Sequence, residues 1–313
     1  MKKFLIHFSV FLIIWLFISH IADCHLTKKI RQSKSRAIAI WEDIFSSNIK
    51  ANLIILGSSR ACDNYNPRIF DSVLNVYSYN LGMQGSKIDK EVMRYNCYIN
   101  HGNSTPSYII WDLHYCSLDF SDRVYDYQFA PYLFDNDIWN LVHNRRHRFS
   151  FFDRAIPLLK YYKNKEIIGY STTNSHYWEG AYKGYLPKTQ RWNPNNLRKQ
   201  KNGSIQCVLN NEMKDLFYKT IEKMQKSGSM VFFVFSPMYI EGQKKINGLY
   251  NLLQSYQVIA DEKNCYFINY ANDSICYDTN YFADGMHLNS FGADVFSKKL
   301  SNTLDSIIFQ HRQ

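Results

Sequence analysis

Phe4–Ile21 is a predominantly apolar run without an acidic residue, lysine or arginine, preceded by Lys2 and Lys3. Its length falls between a signal-peptide core and a membrane span. Ala22-Asp23-Cys24 is a poor cleavage site, because Asp23 stands where a small residue is wanted, and it is a poor lipid-attachment box for the same reason. The segment 1–26 therefore reads as an uncleaved signal anchor, and 27–50 as a polar, basic helix leading away from it. Past residue 50 the pattern changes. Short apolar runs at Asn52–Leu56, Leu74–Asn80, Tyr108–Leu113, Met230–Phe235 and Cys265–Ile268 predict buried strands.

Between those runs the period lengthens to that of a helix. Ile88, Val92, Tyr95 and Ile99 share one face, with Ser86 as a candidate cap before them and Gly102 behind. Met213, Phe217, Ile221 and Met224 form a second stripe, residues 243–262 a third helix, and Phe296, Leu300, Leu304 and Ile307 a last one. Strand and helix alternate, which predicts an α/β domain over 51–313 with a mostly parallel sheet covered on both faces. Residues 118–206 break the rhythm and read as an aromatic-rich insertion. Trp139, Tyr177, Trp178, Tyr182, Tyr185 and Trp192 suit either a lid or sugar-stacking platform, or a core.

Bulk composition narrows the chemistry. The 313 residues are 46% hydrophobic, enough for one large domain with an insertion. A net charge of +10 fits a solvated basic face, or attraction to anionic lipid or an acidic polymer. The densest basic cluster, His143-Asn144-Arg145-Arg146-His147-Arg148, has the same two readings. No nucleic-acid-binding motif is present. The seven cysteines have irregular spacings and no Cys-x-x-Cys, so a metal has little support. A Cys265–Cys276 disulfide is one open possibility. No cofactor is implied.

In parallel sheets ligands bind beyond the carboxyl ends of the strands. Ser59, Asn80–Gly82, Asp112 and Ser236 fall there. Ser59 sits in Gly57-Ser58-Ser59-Arg60 after the first strand, and Asp284-Gly285-Met286-His287 lies far downstream. A serine becomes nucleophilic only beside a base, and a base is oriented by a carboxylate. Ser59, His287 and Asp284 are candidates for those three parts. Arg60, Asp112, His114 and Ser236 are candidates for substrate contact. Each also has a bland reading: an arginine paired with a nearby acid, a helix-capping aspartate, a packed imidazole, a strand-ending Ser-Pro turn.

Gly57-Ser58-Ser59 resembles the Gly-Asp-Ser block of the SGNH (GDSL-like) hydrolases, with Ser58 in place of the usual aspartate. Asn80-Leu81-Gly82-Met83-Gln84-Gly85 is similar to the family's second block, and Asp284-x-x-His287 to its fifth. The resemblance covers most of 51–117 and 207–308. It implies a three-layer αβα fold of flavodoxin-like order, a Ser59–His287–Asp284 triad, and oxyanion donors at the Ser59 and Gly82 N–H groups. The family's Gly-x-Asn-Asp block, which carries a third donor, is absent; Trp111-Asp112-Leu113-His114-Tyr115 stands in its place. The Gly-Ser-Ser variant and the anchor resemble members that acylate cell-envelope polymers. That implies an acylated glycan or small ester as substrate, a membrane-bound acyltransferase as partner, and an extracytoplasmic domain. Lys28, Lys29, Arg31, Lys34 and Arg36, following the span, argue for the opposite orientation.

Overall fold

The computed structural model describes residues 1–33, 35–120, 125–171, 181–198, 203 and 205–312. Lys34, Tyr177 and Trp178 lie outside the described residues. Among the described residues there are seven strands: β1 Leu53–Gly57, β2 Ser78–Asn80, β3 Tyr108–Asp112, β4 Ile205–Gln206, β5 Met230–Phe235, β6 Ile246–Asn247 and β7 Tyr266–Asn269. Five of them form one sheet in the order β2-β1-β3-β5-β7, and every pairing is parallel. Leu53 pairs with Tyr108, Tyr108 with Met230, and Phe232 with Tyr266. This is the flavodoxin-like order, with the crevice at the β1/β3 switch point. β4 and β6 make a separate two-stranded parallel ladder.

Alternation along β1 explains the layers. Leu53 and Ile55 join Ile110, Phe232 and Val234 on one face, under Phe296, Leu300 and Leu304 of the helix Ser290–Arg312 and Phe70 of Pro67–Leu74. On the other face Phe217, from the helix Asn211–Lys226, packs edge-on to Trp111 and tilted against Phe233, while Tyr256 from Leu249–Glu262 meets Phe267. The central strands β1, β3 and β5 are buried on both faces, so they are apolar runs and not alternating ones.

Several elements differ from the sequence reading. Leu74 ends a helix, and β2 begins only at Ser78. The third helix starts at Leu249 because Gly248, with φ +75°, breaks the backbone before it. Ser86 does not cap the helix Ile88–Asn100; Lys87 holds that position, and the Ser86 hydroxyl meets Gly57 O and Glu91 Oε1. That helix is buried nearly all round, including Lys90, Glu91 and Arg94. Residues 27–50 are not one helix, since Lys2–Arg31 is continuous and a second helix runs Arg36–Phe45. Cys265 and Cys276 are both free thiols.

Two compact units emerge: Met1–Glu42 with Arg123–Glu179, and Asp43–Asp122 with Gly180–Gln313. The aromatic insertion is thus divided. In the first unit the N-terminal helix is held by an Arg31–Glu42 ion pair of 2.7 Å, Glu42 also accepts from Tyr132, and Trp41 packs against Phe129 and Tyr132. In the second, Tyr185 enters the sheet's core and Trp192 packs edge-on to Tyr239. Tyr185 is thus a core ring, and Trp192 is partly buried against that core. The His143–Arg148 cluster is only partly solvated: Arg146 is buried against Asp126 at 3.1 Å.

Candidate active site

β1 ends at Gly57 with φ +137°, a conformation that side chains avoid. A Cβ there would lie 2.9 Å from Asp112 O and 2.9 Å from the Ala61 side chain. Glycine therefore lets the chain turn tightly into the short helix Ser59–Asn64, which puts Ser59 at the first helical position with its N–H outside the helical ladder. Asn80 pins that helix from β2, its Nδ2 donating to Ala61 O at 2.7 Å and Tyr65 O at 3.0 Å.

The opposite wall is a loop organised by one carboxylate. Asp284 Oδ1 accepts from the backbone N–H of Met286 at 2.9 Å and of His287 at 3.0 Å. The same carboxylate takes the His287 ring through Nδ1, 2.8 Å from Oδ1 and 3.0 Å from Oδ2. With Nδ1 carrying the proton toward an ionised acid, Nε2 is left as the acceptor, and it stands 2.9 Å from Ser59 Oγ. Asn64 then ties the two walls together. Its Oδ1 accepts from Leu288 N–H at 3.0 Å, and its Nδ2 donates to Ser236 Oγ at 2.9 Å. The structure thus brings Ser59, His287 and Asp284 into one chain of contacts, with the imidazole 20% and the carboxylate 23% exposed at the surface.

Burial pushes the Asp284 carboxyl up. The His287 hydrogen bond and charge, the Met286 N–H and Lys188 override it and hold the group well below the usual carboxylate range. Lys188 comes from the region read as insertion. Its Nζ lies 3.4 Å from Asp284 Oδ2 and 3.3 Å from Asp63 Oδ2, and its carbonyl accepts from Ser290 N–H.

The four candidate substrate contacts are buried, at 6% exposure or less. Arg60 donates to Ser236 O and, at 2.9 Å, to Ser236 Oγ; its guanidinium lies over the Phe235 ring and 4.0 Å from Asp112 Oδ2. Asp112 accepts from Tyr65 OH at 2.6 Å and Ser236 N–H at 3.3 Å. This network braces the ends of β3 and β5. His114 Nδ1 accepts from Cys116 N–H, and burial, with the Arg60 charge nearby, lowers the ring to about 3, so it is neutral. A charged group buried without water needs partners, and Arg60, Asp112 and Ser236 partner one another, while the neutral His114 ring is held by its own loop.

Gly82 also differs from expectation. Its N–H donates to Asn80 Oδ1 at 2.9 Å. A Cβ at this position would sit 2.7 Å from Cys62 N, so glycine serves the close approach of the loop to the Ser59 helix. Arg94 Nη1 donates to Gly82 O at 3.0 Å and holds the loop from below. Asn64, Asp63, Lys188 and Arg94 went unrecognised in the sequence. Asn64 lies within reach of Ser59 in the chain, but none of the four carries a motif, because each acts across the fold.

Neither a family model nor a curated protein sequence matches the chain. Among solved structures it is similar to a Streptococcus pneumonia protein provisionally named a platelet activating factor, at 12% identity and TM-score 0.45, over 95% of this chain and 97% of that one. It is similar also to a GDSL-like lipase from Bacteroides thetaiotaomicron, at 9% identity and TM-score 0.37, over 80% and 88% of the two chains. These likenesses are distant.

Proposed function

We propose that the protein is an anchored serine esterase or acyl-transfer enzyme of SGNH type. The observation that carries this reading is the unbroken contact chain from Ser59 Oγ through His287 to Asp284, at 2.9 and 2.8 Å. In the first half-reaction Ser59 Oγ attacks an ester carbonyl and its proton passes to His287 Nε2. The imidazolium is stabilised by Asp284, whose carboxylate stays ionised. The carbon–oxygen bond to the leaving alcohol breaks, and His287 returns the proton to that alcohol. In the second half a water or a sugar hydroxyl gives its proton to Nε2 and attacks the acyl carbon; the bond to Ser59 Oγ breaks, and His287 returns the proton to that oxygen.

The negative oxygen of each tetrahedral intermediate needs donors. The Ser59 N–H at the helix start is one. Gly82 N–H serves as a second only by turning from Asn80 Oδ1 or sharing with it. Loss of one such donor costs about two to three orders of magnitude in rate. That occupied N–H is the one observation favouring a second reading, a non-catalytic scaffold in an assembly that acylates an envelope polymer.

A fluorophosphonate probe and a short-chain acyl ester test both. The enzyme reading expects labelling and turnover in the full chain, and loss of both in Ser59→Ala with an unchanged circular dichroism spectrum. Turnover surviving in that variant refutes Ser59 as nucleophile, and an unlabelled wild type supports the scaffold. Acyl incorporation into an added glycan, measured against free acid released, separates transfer from hydrolysis.

A further inference from the structure

We propose that the face carrying Phe134, Phe151, Phe152, Ile156 and Tyr162 is seated in the interfacial layer of the membrane whose core the N-terminal helix crosses. This rests on reading that helix as a span, and is independent of the Ser59 chemistry. Single exposed apolar side chains are ordinary, but a run of them on one short stretch marks a surface that is covered in use. Here their exposures run from 41% at Ile156 to 69% at Tyr162.

The stretch is fastened to the helix at a defined level. Asp23 Oδ1 pairs with Lys160 Nζ at 2.8 Å, and Asp23 Oδ2 accepts from Leu158 N–H at 2.8 Å. One turn on, Thr27 Oγ1 meets Tyr161 OH at 2.6 Å. Lys160 Nζ lies 5.9 Å from the Phe134 ring centre, and the Arg154 guanidinium 5.1 Å from it. The Phe134 ring, and with Leu158–Tyr161 the segment that carries Ile156 and Tyr162, is thereby held to the helix at the height of Asp23.

That height is the edge of the apolar run. Phe4–Ile21 spans about 27 Å at ~1.5 Å per residue, close to the ~30 Å of a hydrocarbon core. Asp23 then falls at headgroup depth, where aromatic side chains gather and where lysines extend toward phosphates. The same contacts explain how an aspartate is tolerated at the end of a span: its oxygens are paired and the residue is only 9% exposed.

The occupant is phospholipid. An open groove of about 500 Å³, lined by Leu26, Leu158, Tyr162 and Ile168 with Lys165 among its walls, lies against the helix just beyond Asp23. Lys28, Lys29, Lys163 and Lys165 are exposed around it, which complements anionic headgroups.

A benzophenone amino acid placed at Phe152, or separately at Phe11, tests this in the full chain reconstituted in phosphatidylcholine–phosphatidylglycerol vesicles. After irradiation, mass spectrometry is expected to find a phospholipid adduct at both positions. A lipid adduct at Phe11 with none at Phe152 overturns the proposal. So does a cross-link from Phe152 to a second copy of the chain. Absence of lipid at Phe11 removes the span itself and the proposal with it. None of these outcomes alters fluorophosphonate labelling of Ser59, which is read separately.

Discussion

Glu91 offers a test of the packing behind the site. It lies in the helix Ile88–Asn100 with 2% of its surface exposed, accepting from Trp111 Nε1 at 2.7 Å and Ser86 Oγ at 2.8 Å. Burial pushes its carboxyl from an ordinary value of 4.5 up to about 7; the two hydrogen bonds pull it down, and the Asp112 and Asp89 charges add to the rise. The folded protein therefore holds this proton more tightly than the unfolded chain. Its contribution to stability is complete below pH 4.5 and is lost as pH rises through about 7. The gap, at ~1.36 kcal/mol per pH unit, amounts to about 3 kcal/mol. Glu91→Gln keeps an acceptor for Trp111 and removes the titration. Urea unfolding of the detergent-solubilised full chain, followed by tryptophan fluorescence from pH 4.5 to 8.5, reads the difference. Wild type is expected to lose about 3 kcal/mol relative to Glu91→Gln across that range. His114 and Asp284 titrate in both proteins, and their contributions cancel. Parallel stability curves for the two proteins would refute the buried-acid account. Because Ser86 also touches Gly57 O at 3.2 Å, loss of order at Glu91 is expected to reach the turn that presents Ser59.

Arg60→Met strands Asp112 as a buried carboxylate beside Tyr65 and is expected to cost about 3–5 kcal/mol by urea unfolding, with much of that recovered in Arg60→Met/Asp112→Leu. Lys188→Met removes the cation 3.4 Å from Asp284 Oδ2 but leaves the His287 contact intact. Worth about 1 kcal/mol at a part-exposed site, the change is expected to lower kcat on a short acyl ester roughly five-fold with KM unchanged. An unaltered kcat removes Lys188 from the site's support.

The alternation of apolar runs and helical stripes from Leu53 to Leu304 was enough to predict a parallel α/β sheet, because strands buried on both faces must be continuous and apolar. Ser59, His287 and Asp284 stood out for a related reason. Each sits in a short local motif whose backbone, a glycine turn or a carboxylate-organised loop, is encoded within four residues. The apolar helix at the N-terminus was equally plain, since eighteen positions without a carboxylate, lysine or arginine leave little else to form. Tertiary structure decided what those local features face. Arg60, Asp112, His114 and Ser236 occupy strand ends where ligands commonly bind, yet packing buries all four, and Arg60, Asp112 and Ser236 meet one another. Gly82 carries a motif glycine, yet its N–H turns to Asn80. Lys188 and Asn64 have no motif, and they reach Asp284 and Leu288 across the fold. Short-range pattern records which conformation a segment prefers; which polar group meets which is set mostly by contacts between segments far apart in the chain, such as Arg60 with Ser236 and Asn64 with Leu288, and only the closed fold sets those.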